Sequence, residues 1–486
     1  MEERRKARNG ASDLSTAHRK HRRRAAAVPA PRDIILPMNA PGTSPMDTAP
    51  FRARRARLLQ RMQAAGGGVA ILPTAPERVR NRDAHYPYRH DSYFYYLTAF
   101  REPEAVVVLV AGKETKQILF CREKNAEREI WEGYRWGPEA VREAFGFDEA
   151  WTIGDLEKRL PDYLADQPLL WTSLGYDNDW DAKVLGALNA VRDKARTGLT
   201  PPHSVRDLRA ELDEMRLVKD AAELATMRRA AQISAAAHCR AMRATRPGRL
   251  EYEIEAELLH AFRAAGSQAP AYTSIVAGGA NACVLHYVDN DQPLRDGDLL
   301  LIDAGCELDG YASDITRTFP VNGRFSGPQR EVYALVLAAQ AAAREATRPG
   351  AHWNQPHDAA VKVLAQGMLD LGLIQGSLDG VLENGDYRRF YMHRTGHWLG
   401  MDVHDAGEYK LGGEWRPLVE GMVLTIEPGC YIRPAADVPE AFWNIGIRIE
   451  DDAVVTAGGC ELITEDAPKA VADIEALMRE ARPHTT

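Results

Sequence analysis

The sequence predicts an α+β protein in two parts, a smaller α/β domain followed by a larger half built on an internal repeat. Three observations predict it. The chain has 486 residues, more than the ~250–300 over which a single hydrophobic core keeps growing. Strand-like apolar runs alternate with helical stretches up to about residue 200. The phrase Ala-Thr-Arg-Pro-Gly occurs twice, ending at Gly248 and at Gly350, each time after an Ala-rich helical stretch and before another helix.

The elements follow in order. Residues 51–65 read as an amphipathic helix with Leu58, Leu59 and Met62 on one face. Residues 67–72 and 105–111 read as buried strands, and 151–160 and 180–196 as helices. Pro201-Pro202-His203 is a break, and 208–215 is a connecting helix. The expected domains are therefore 1–48, a disordered basic tail or residues upstream of a true start at Met38 or Met46; 49–215, an α/β domain; and 216–486. In the last of these, helices are expected at 221–244 and 251–265, and again at 329–346 and 357–371. Pro and Gly after a helix are ordinary stop signals, and it is their duplication that points to a repeated half-domain. Strands are expected at 272–277, 299–304 and 313–320 after the first helix pair, and at 423–427, 429–433 and 445–455 after the second.

Composition excludes several function classes. No apolar run approaches the ~18 residues of a membrane-spanning helix, and no apolar stretch of a signal peptide follows the N-terminal charges. Six scattered cysteines without C-x-x-C spacing argue against both a disulfide framework and a thiolate zinc site, and for reduced thiols in the cytoplasm. Residues 1–35 hold ten Lys or Arg against four acids, a net of +6 in a chain whose net charge is −8. The remainder is strongly acidic, which argues against nucleic acid as a partner of the folded part.

The chemistry is carried by acids at strand ends. Leu299-Leu300-Leu301-Ile302 leads into Asp303, and Asp314 lies eleven residues on. A carboxylate emerging from an apolar strand needs a partner, and a metal ion or an arginine would each serve. His393, His397 and His404 fall within twelve residues among flanking glycines, where imidazole can ligate a borderline metal or move protons near neutral pH. Glu427 ends a second apolar strand ahead of Pro428-Gly429. Arg448 and Glu450, two apart on a strand, face the same side, so they could pair with each other. Recurrence is the stronger signal: four strand-like segments each deliver an acid to join clustered histidines. Four carboxylates with one imidazole form a hard, oxygen-rich set suited to Mn²⁺ or similar ions, and carry more negative charge than one divalent ion requires. Two ions sharing bridging carboxylates could activate water for attack on a carbonyl.

With these residues in view, the chain resembles the "pita-bread" dinuclear metallopeptidases, and among them the Xaa-Pro aminopeptidase (aminopeptidase P) branch. The resemblance runs from about residue 50 to 475. It rests on His286-Tyr287, on 299–318 with Ser313-Asp314-Ile315-Thr316-Arg317-Thr318, on 393–405 with Gly396-His397-Trp398-Leu399-Gly400, on 425–429 and on 446–450. It implies a pseudo-twofold pita-bread catalytic domain behind a substrate-gating α/β domain. The implied metal ligands are Asp303, Asp314, His397, Glu427 and Glu450, with Asp314 and Glu450 bridging two divalent ions, most fittingly Mn²⁺. The implied reaction is hydrolysis of the N-terminal Xaa-Pro bond of peptides by a hydroxide between the ions. Glu427 would accept the proton, His286, His393 and His404 would line the substrate pocket, and Arg448 and Tyr431 would orient the acids. A homodimer or homotetramer is implied, with peptides as partners and no membrane. An aromatic of the 93–98 segment reaches a neighbouring subunit in some members, and some bacterial relatives have Trp where this chain has Tyr95. Prolidase, which cuts Xaa-Pro dipeptides only, shares the ligands and is the nearest alternative. A non-enzymatic pita-bread binding protein would typically have lost them.

Overall fold

The structure is a computed structural model that describes residues 47–480. The basic head expected at 1–48 lies outside these residues but for its last two. Helix α1 (Ala49–Ala64) opens with Pro50 in its first turn, where a missing N–H costs nothing. Its apolar face buries Leu58, Leu59 and Met62 as the pattern implies, but Arg54 and Arg55 are buried too. Arg55 is satisfied by Gln117 Oε1 and by the carbonyls of Leu97, Phe145 and Gly146. A guanidinium with four acceptors can sit in a core that an unpaired charge could not enter.

The first sheet comprises β1 (Gly68–Pro73), β2 (Val106–Ala111), β3 (Thr115–Cys121), β4 (Glu149–Thr152), β5 (Leu169–Trp171) and β6 (Ser204–Arg206), in the order β4-β3-β2-β1-β5-β6. β1 and β3 run antiparallel to β2, and the other neighbours pair in parallel. Alternate residues serve alternate faces. Ala70, Leu72, Val107 and Leu109 pack under α1 and α2 (Ser92–Thr98). Val69, Ile71, Val106 and Val108 pack under α3 (Leu156–Leu164) and α4 (Asn178–Arg192). Covering both faces explains why the strands read as unbroken apolar runs. Two expectations need correction. Trp151 and Thr152 belong to β4, paired with Phe120 and Cys121, so the helix expected at 151–160 starts only at Leu156. Sheet pairing overrides a helical pattern in an aromatic and β-branched dipeptide. The helix expected to reach residue 196 stops at Arg192.

Helix α5 (Leu208–Leu217) leads into the larger half and runs across the expected boundary at 215/216. α6 (Ala221–Ala244) starts from a capping box of Asp220 with Glu223, and α8 (Gly327–Ala346) from one of Ser326 with Gln329. Each is followed by a partner, α7 (Glu251–Ala264) or α9 (Gln355–Asp370). The two Thr-Arg-Pro-Gly stops are built alike. Thr245 and Thr347 return their hydroxyls to the carbonyls of Ala241 and Ala343. Gly248 and Gly350, at φ +91° and +82°, donate to the carbonyls of Leu294 and Leu418, both at 2.9 Å. Each of those leucines lies five residues before a central strand, β8 (Leu299–Asp303) or β10 (Val423–Ile426). The repeat read in the sequence is thus a structural one, the pseudo-twofold pita-bread arrangement. Alanines at 230, 237, 241, 339, 343 and 360 let the helix pairs approach the strands closely in one continuous core.

In the first repeat β8 lies between β7 (Ile275–Gly278) and β9 (Thr316–Pro320), all antiparallel. The strands expected at 272–277 and 313–320 therefore begin later than read, at Ile275 and Thr316. In the second, β10 pairs with β13 (Asp451–Thr456), and β11 (Gly429–Ile432) with β12 (Ile445–Arg448). The strand expected at 445–455 is in fact two. Gly429 faces Arg448 and Ile426 faces Asp451, so the chain changes partner at Ile449-Glu450, opposite Glu427-Pro428. Proline cannot donate to a ladder, and the break beside it frees two glutamates to leave the sheet plane.

Candidate metal centre

Asp303 ends β8 opposite Thr316. The chain then turns through a small hairpin and returns at Ser313-Asp314, so close that a Cβ on Gly305 would collide with the Ser313 carbonyl oxygen. Only glycine at 305 lets the two aspartates stand side by side. The Asp314 N–H donates to Asp452 Oδ2 at 3.1 Å. His397 is set in the same manner: a Cβ on Gly396 would meet the Thr425 carbonyl, and the His397 N–H donates to Thr425 Oγ1 at 3.1 Å. Its Nδ1, 3.0 Å from the Trp398 carbonyl, carries the proton, which leaves Nε2 facing Asp314 Oδ2 at 3.5 Å and Glu427 Oε1 at 3.6 Å.

Ligand atoms of Asp314, His397 and Glu450 lie within 4.8 Å of one another. Asp303 and Glu427 line the same cavity, of about 1110 Å³, as do His286, His393, His404 and Arg448. All nine residues singled out in the sequence thus meet in one place. The possible Arg448–Glu450 pair does not form as an ion pair. Arg448 Nη2 donates instead to Asp303 Oδ2 at 2.6 Å, Nε to Thr316 Oγ1 at 3.0 Å and Nη1 to Tyr431 Oη at 3.1 Å. Glu450 Oε2 accepts from the Thr316 hydroxyl at 2.6 Å. Tyr431 Oη also lies 2.8 Å from His393 Nε2.

Two contributors escaped sequence reasoning. Tyr272 donates to Asp303 Oδ1 at 2.6 Å and contacts Asp314 Oδ1 as well. Tyr272 reads in the sequence as the start of a strand; the later start of β7 frees it to turn into the cavity. Thr316 was visible within the Ser313–Thr318 motif, but nothing in its type announced a link between Glu450 and Arg448. Tyr95 lies elsewhere: it is 2% exposed, stacked on His90 at 4.1 Å, with its hydroxyl taken by Arg101. Within one chain no face of its ring is left to reach a neighbour.

The electrostatics state what the donor set lacks. Burial, then Asp314, Glu427 and Asp303, push the Glu450 carboxyl well above the usual carboxylate range. Burial also raises Glu427, to about 7, and Asp303, the latter against the pull of Arg448. Burial would lower His397, but the bond to Asp314 and the charge of Glu427 raise it to about 9. Burial lowers His393 to about 3, so that imidazole is neutral. Among the described residues, Arg448 is the only permanent cation paired with the four acids. Four converging carboxylates with one such partner hold an excess of negative charge that two divalent cations would neutralise, and oxygen-rich donors fit ions such as Mn²⁺. The residues present fit a dinuclear centre.

Comparisons with known proteins show the family of the chain. The model of the aminopeptidase P N-terminal domain matches residues 51–171, and that of metallopeptidase family M24 matches 225–457. The chain is 45% identical over 430 residues to a Xaa-Pro aminopeptidase of Haemophilus influenzae, covering 88% of this chain and 96% of that one. It is 44% identical over 434 residues to a Xaa-Pro aminopeptidase of Escherichia coli, covering 89% and 98%. Among solved structures, the aminopeptidase PepP of Pseudomonas aeruginosa superposes with a TM-score of 0.86 at 50% identity, over 88% of this chain and 98% of that one. Zinc-substituted E. coli aminopeptidase P in complex with product gives 0.88 at 43% identity, over 91% and 100%.

Proposed function

The chain belongs to the Xaa-Pro aminopeptidases of metallopeptidase family M24, and from that premise we propose that Asp303, Asp314, His397, Glu427 and Glu450 hold two divalent ions, Mn²⁺ in the native enzyme. The enzyme hydrolyses the N-terminal peptide bond that precedes proline. The observation that carries the ligand assignment is the convergence of Asp314, His397 and Glu450 within 4.8 Å, with Asp303 and Glu427 lining the same cavity.

When bound, such ions activate water and polarise the scissile carbonyl. The chain's own residues do the rest. Asp314 and Glu450, two of the three residues whose ligand atoms converge, would be the acids shared between the ions. Glu427 takes the proton from the attacking water and passes it to the leaving proline nitrogen, a role open to a carboxylate that lines the cavity beside His397. Neutral His393, with one ring nitrogen on the Arg394 carbonyl and the other on Tyr431 Oη, lines the site as a fixed imidazole, and His286 and His404 line the same cavity and steady the peptide. Arg448 and Tyr431 hold Asp303 and His393 in place.

The division into domains falls at 215/216, near the end of α5. All six cysteines are free, which supports a reducing, cytoplasmic setting. No helix among the described residues is long and apolar enough to cross a membrane. The working assembly is a homodimer or homotetramer. Metal-stripped protein reloaded with Mn²⁺, Co²⁺ or Zn²⁺ and assayed on Xaa-Pro, Xaa-Pro-Xaa and longer peptides tests the whole reading. Mn²⁺ restores the highest rate, and tripeptides and longer peptides are cut. Cleavage of the dipeptide alone would establish prolidase activity instead.

A further inference from the structure

His404 stands at the cavity wall with its ring edge-on to His397, centroids 4.3 Å apart. Among the described residues its imidazole has no hydrogen-bonding partner. Its position is therefore the position of its backbone, the loop Met401–Asp405. That loop is gripped from behind by side chains distant in sequence. Arg89 Nη2 donates to the Met401 carbonyl at 2.8 Å, and its Nη1 to Ser92 Oγ at 2.7 Å. Ser92 Oγ, at the first turn of α2, donates to Asp402 Oδ1 at 2.6 Å. Arg216 Nη2, at the end of α5, reaches Asp402 Oδ2 at 2.7 Å and Asp405 Oδ1 at 2.5 Å. Lys219 Nζ donates to Asp405 Oδ2 at 2.9 Å.

The local chain is shaped around this grip. A Cβ on Gly400 would collide with the Asp405 carboxylate. The Asp405 N–H donates to the Trp398 carbonyl at 2.9 Å, one residue from His397. Arg89 also pairs with Glu307 at 3.1 Å, in the hairpin that joins Asp303 to Asp314. Three cations, Arg89, Arg216 and Lys219, thus meet three acids, Glu307, Asp402 and Asp405, and the pairs to Asp405 are buried. Its buried part, the pairs of Arg216 and Lys219 with Asp405, fixes geometry better than a surface pair, and the partly exposed Arg89 and Asp402 extend it toward the N-terminal domain.

We infer that Arg89 and Ser92 of the N-terminal domain, with Arg216 and Lys219 of the connecting segment, are positioning residues that set His404 over the reacting peptide. The domain matched as an aminopeptidase P N-terminal domain then does more than gate the substrate: it completes the active site of its own chain. The inference rests on the role given above to His404.

The experiment is a double-mutant cycle on the Mn²⁺-loaded enzyme between Arg89→Met and His404→Ala. Arg89 is partly exposed, and its replacement empties no core position. In the otherwise unchanged enzyme, Arg89→Met lowers kcat about tenfold while KM and Mn²⁺ affinity hold, since small displacements of a catalytic group act on the chemical step. In the His404→Ala enzyme the same change costs less than about twofold, because the two residues act as one unit. Ser92→Ala behaves alike but more mildly, and Arg89→Lys recovers part of the rate. Equal losses in both backgrounds overturn the inference. So does an unaffected Arg89→Met enzyme when His404→Ala is costly, and that result leaves the role of His404 standing. A silent His404→Ala overturns both readings.

Discussion

At Tyr272 one phenol serves two acids, Asp303 and Asp314. Tyr272→Phe removes the donor and leaves the ring, so the cavity keeps its shape while two ligands lose an orienting partner. Mn²⁺ affinity falls about 10–100-fold, the usual cost of losing such support, and kcat falls with it. Metal titration followed by competition with a chelator measures the first effect and steady-state kinetics the second. Gly305→Ala is harsher, because its Cβ meets backbone that cannot rotate away. We expect it to separate Asp303 from Asp314 and abolish tight Mn²⁺ binding even where the variant folds. The acids and histidines of the site were legible in the sequence, since a charge at the end of an apolar run is conspicuous. Tyr272 and Thr316 were not. A hydroxyl is at home on a strand for ordinary reasons, and only the fold reveals that Tyr272 turns inward where β7 has not yet begun.

At the scale of elements, α6 depends on its first residues. Asp220 caps it, accepting from the N–H groups of Ala222 and Glu223, and holds Arg54 of α1. Asp220→Ala loses the cap and leaves a buried guanidinium short of a partner, costing about 1–2 kcal/mol from the cap alone. Urea denaturation reads that as a lower midpoint at unchanged slope. The same helix carries His238, fully buried, with Nε2 2.9 Å from the Ala304 carbonyl. Burial lowers its pKa to about 4. Below pH 6.5 the unfolded chain takes up a proton that the folded one refuses, so this stabilisation is complete above about pH 6.5 and is lost as pH falls toward 4. His238→Gln, which keeps a donor for Ala304, should flatten the stability profile across that window in the chelated protein. A profile parallel to the parent's would rule His238 out. Helices and strands in the larger half were legible because Pro-Gly stops and apolar runs bound them. The split of 445–455 was not, because β-branched residues recur on both sides of Glu450-Asp451-Asp452 and the segment reads as one strand. Only its exchange of partners, from β11 to β10, interrupts it. Trp151-Thr152 was misread for the same reason, since pairing with β3 is not a local property.

Four acids converge in one cavity of the molecule, and cations bound there would offset their mutual repulsion. Binding to the folded state alone must stabilise it, so Mn²⁺ at 100 times its Kd should add about 2.7 kcal/mol and raise the melting temperature, and a chelator should reverse this. A melting temperature indifferent to both would contradict a centre held by these residues. The overall architecture was legible from the duplicated stops, whereas the grip of Arg89 and Arg216 on 401–405 joins residues about 200 to 300 positions apart and left no trace in any local pattern. The repeat has one more consequence. Its first copy supplies Asp303 and Asp314, and its second supplies His397, Glu427 and Glu450. A chain severed in the turn at Asn322-Gly323, between β9 and α8, would yield two fragments, neither holding all five of the proposed ligands. If each fragment keeps its helix pair and strands, added Mn²⁺ becomes the adhesive between them, and recovered peptidase activity on mixing reports their reassembly.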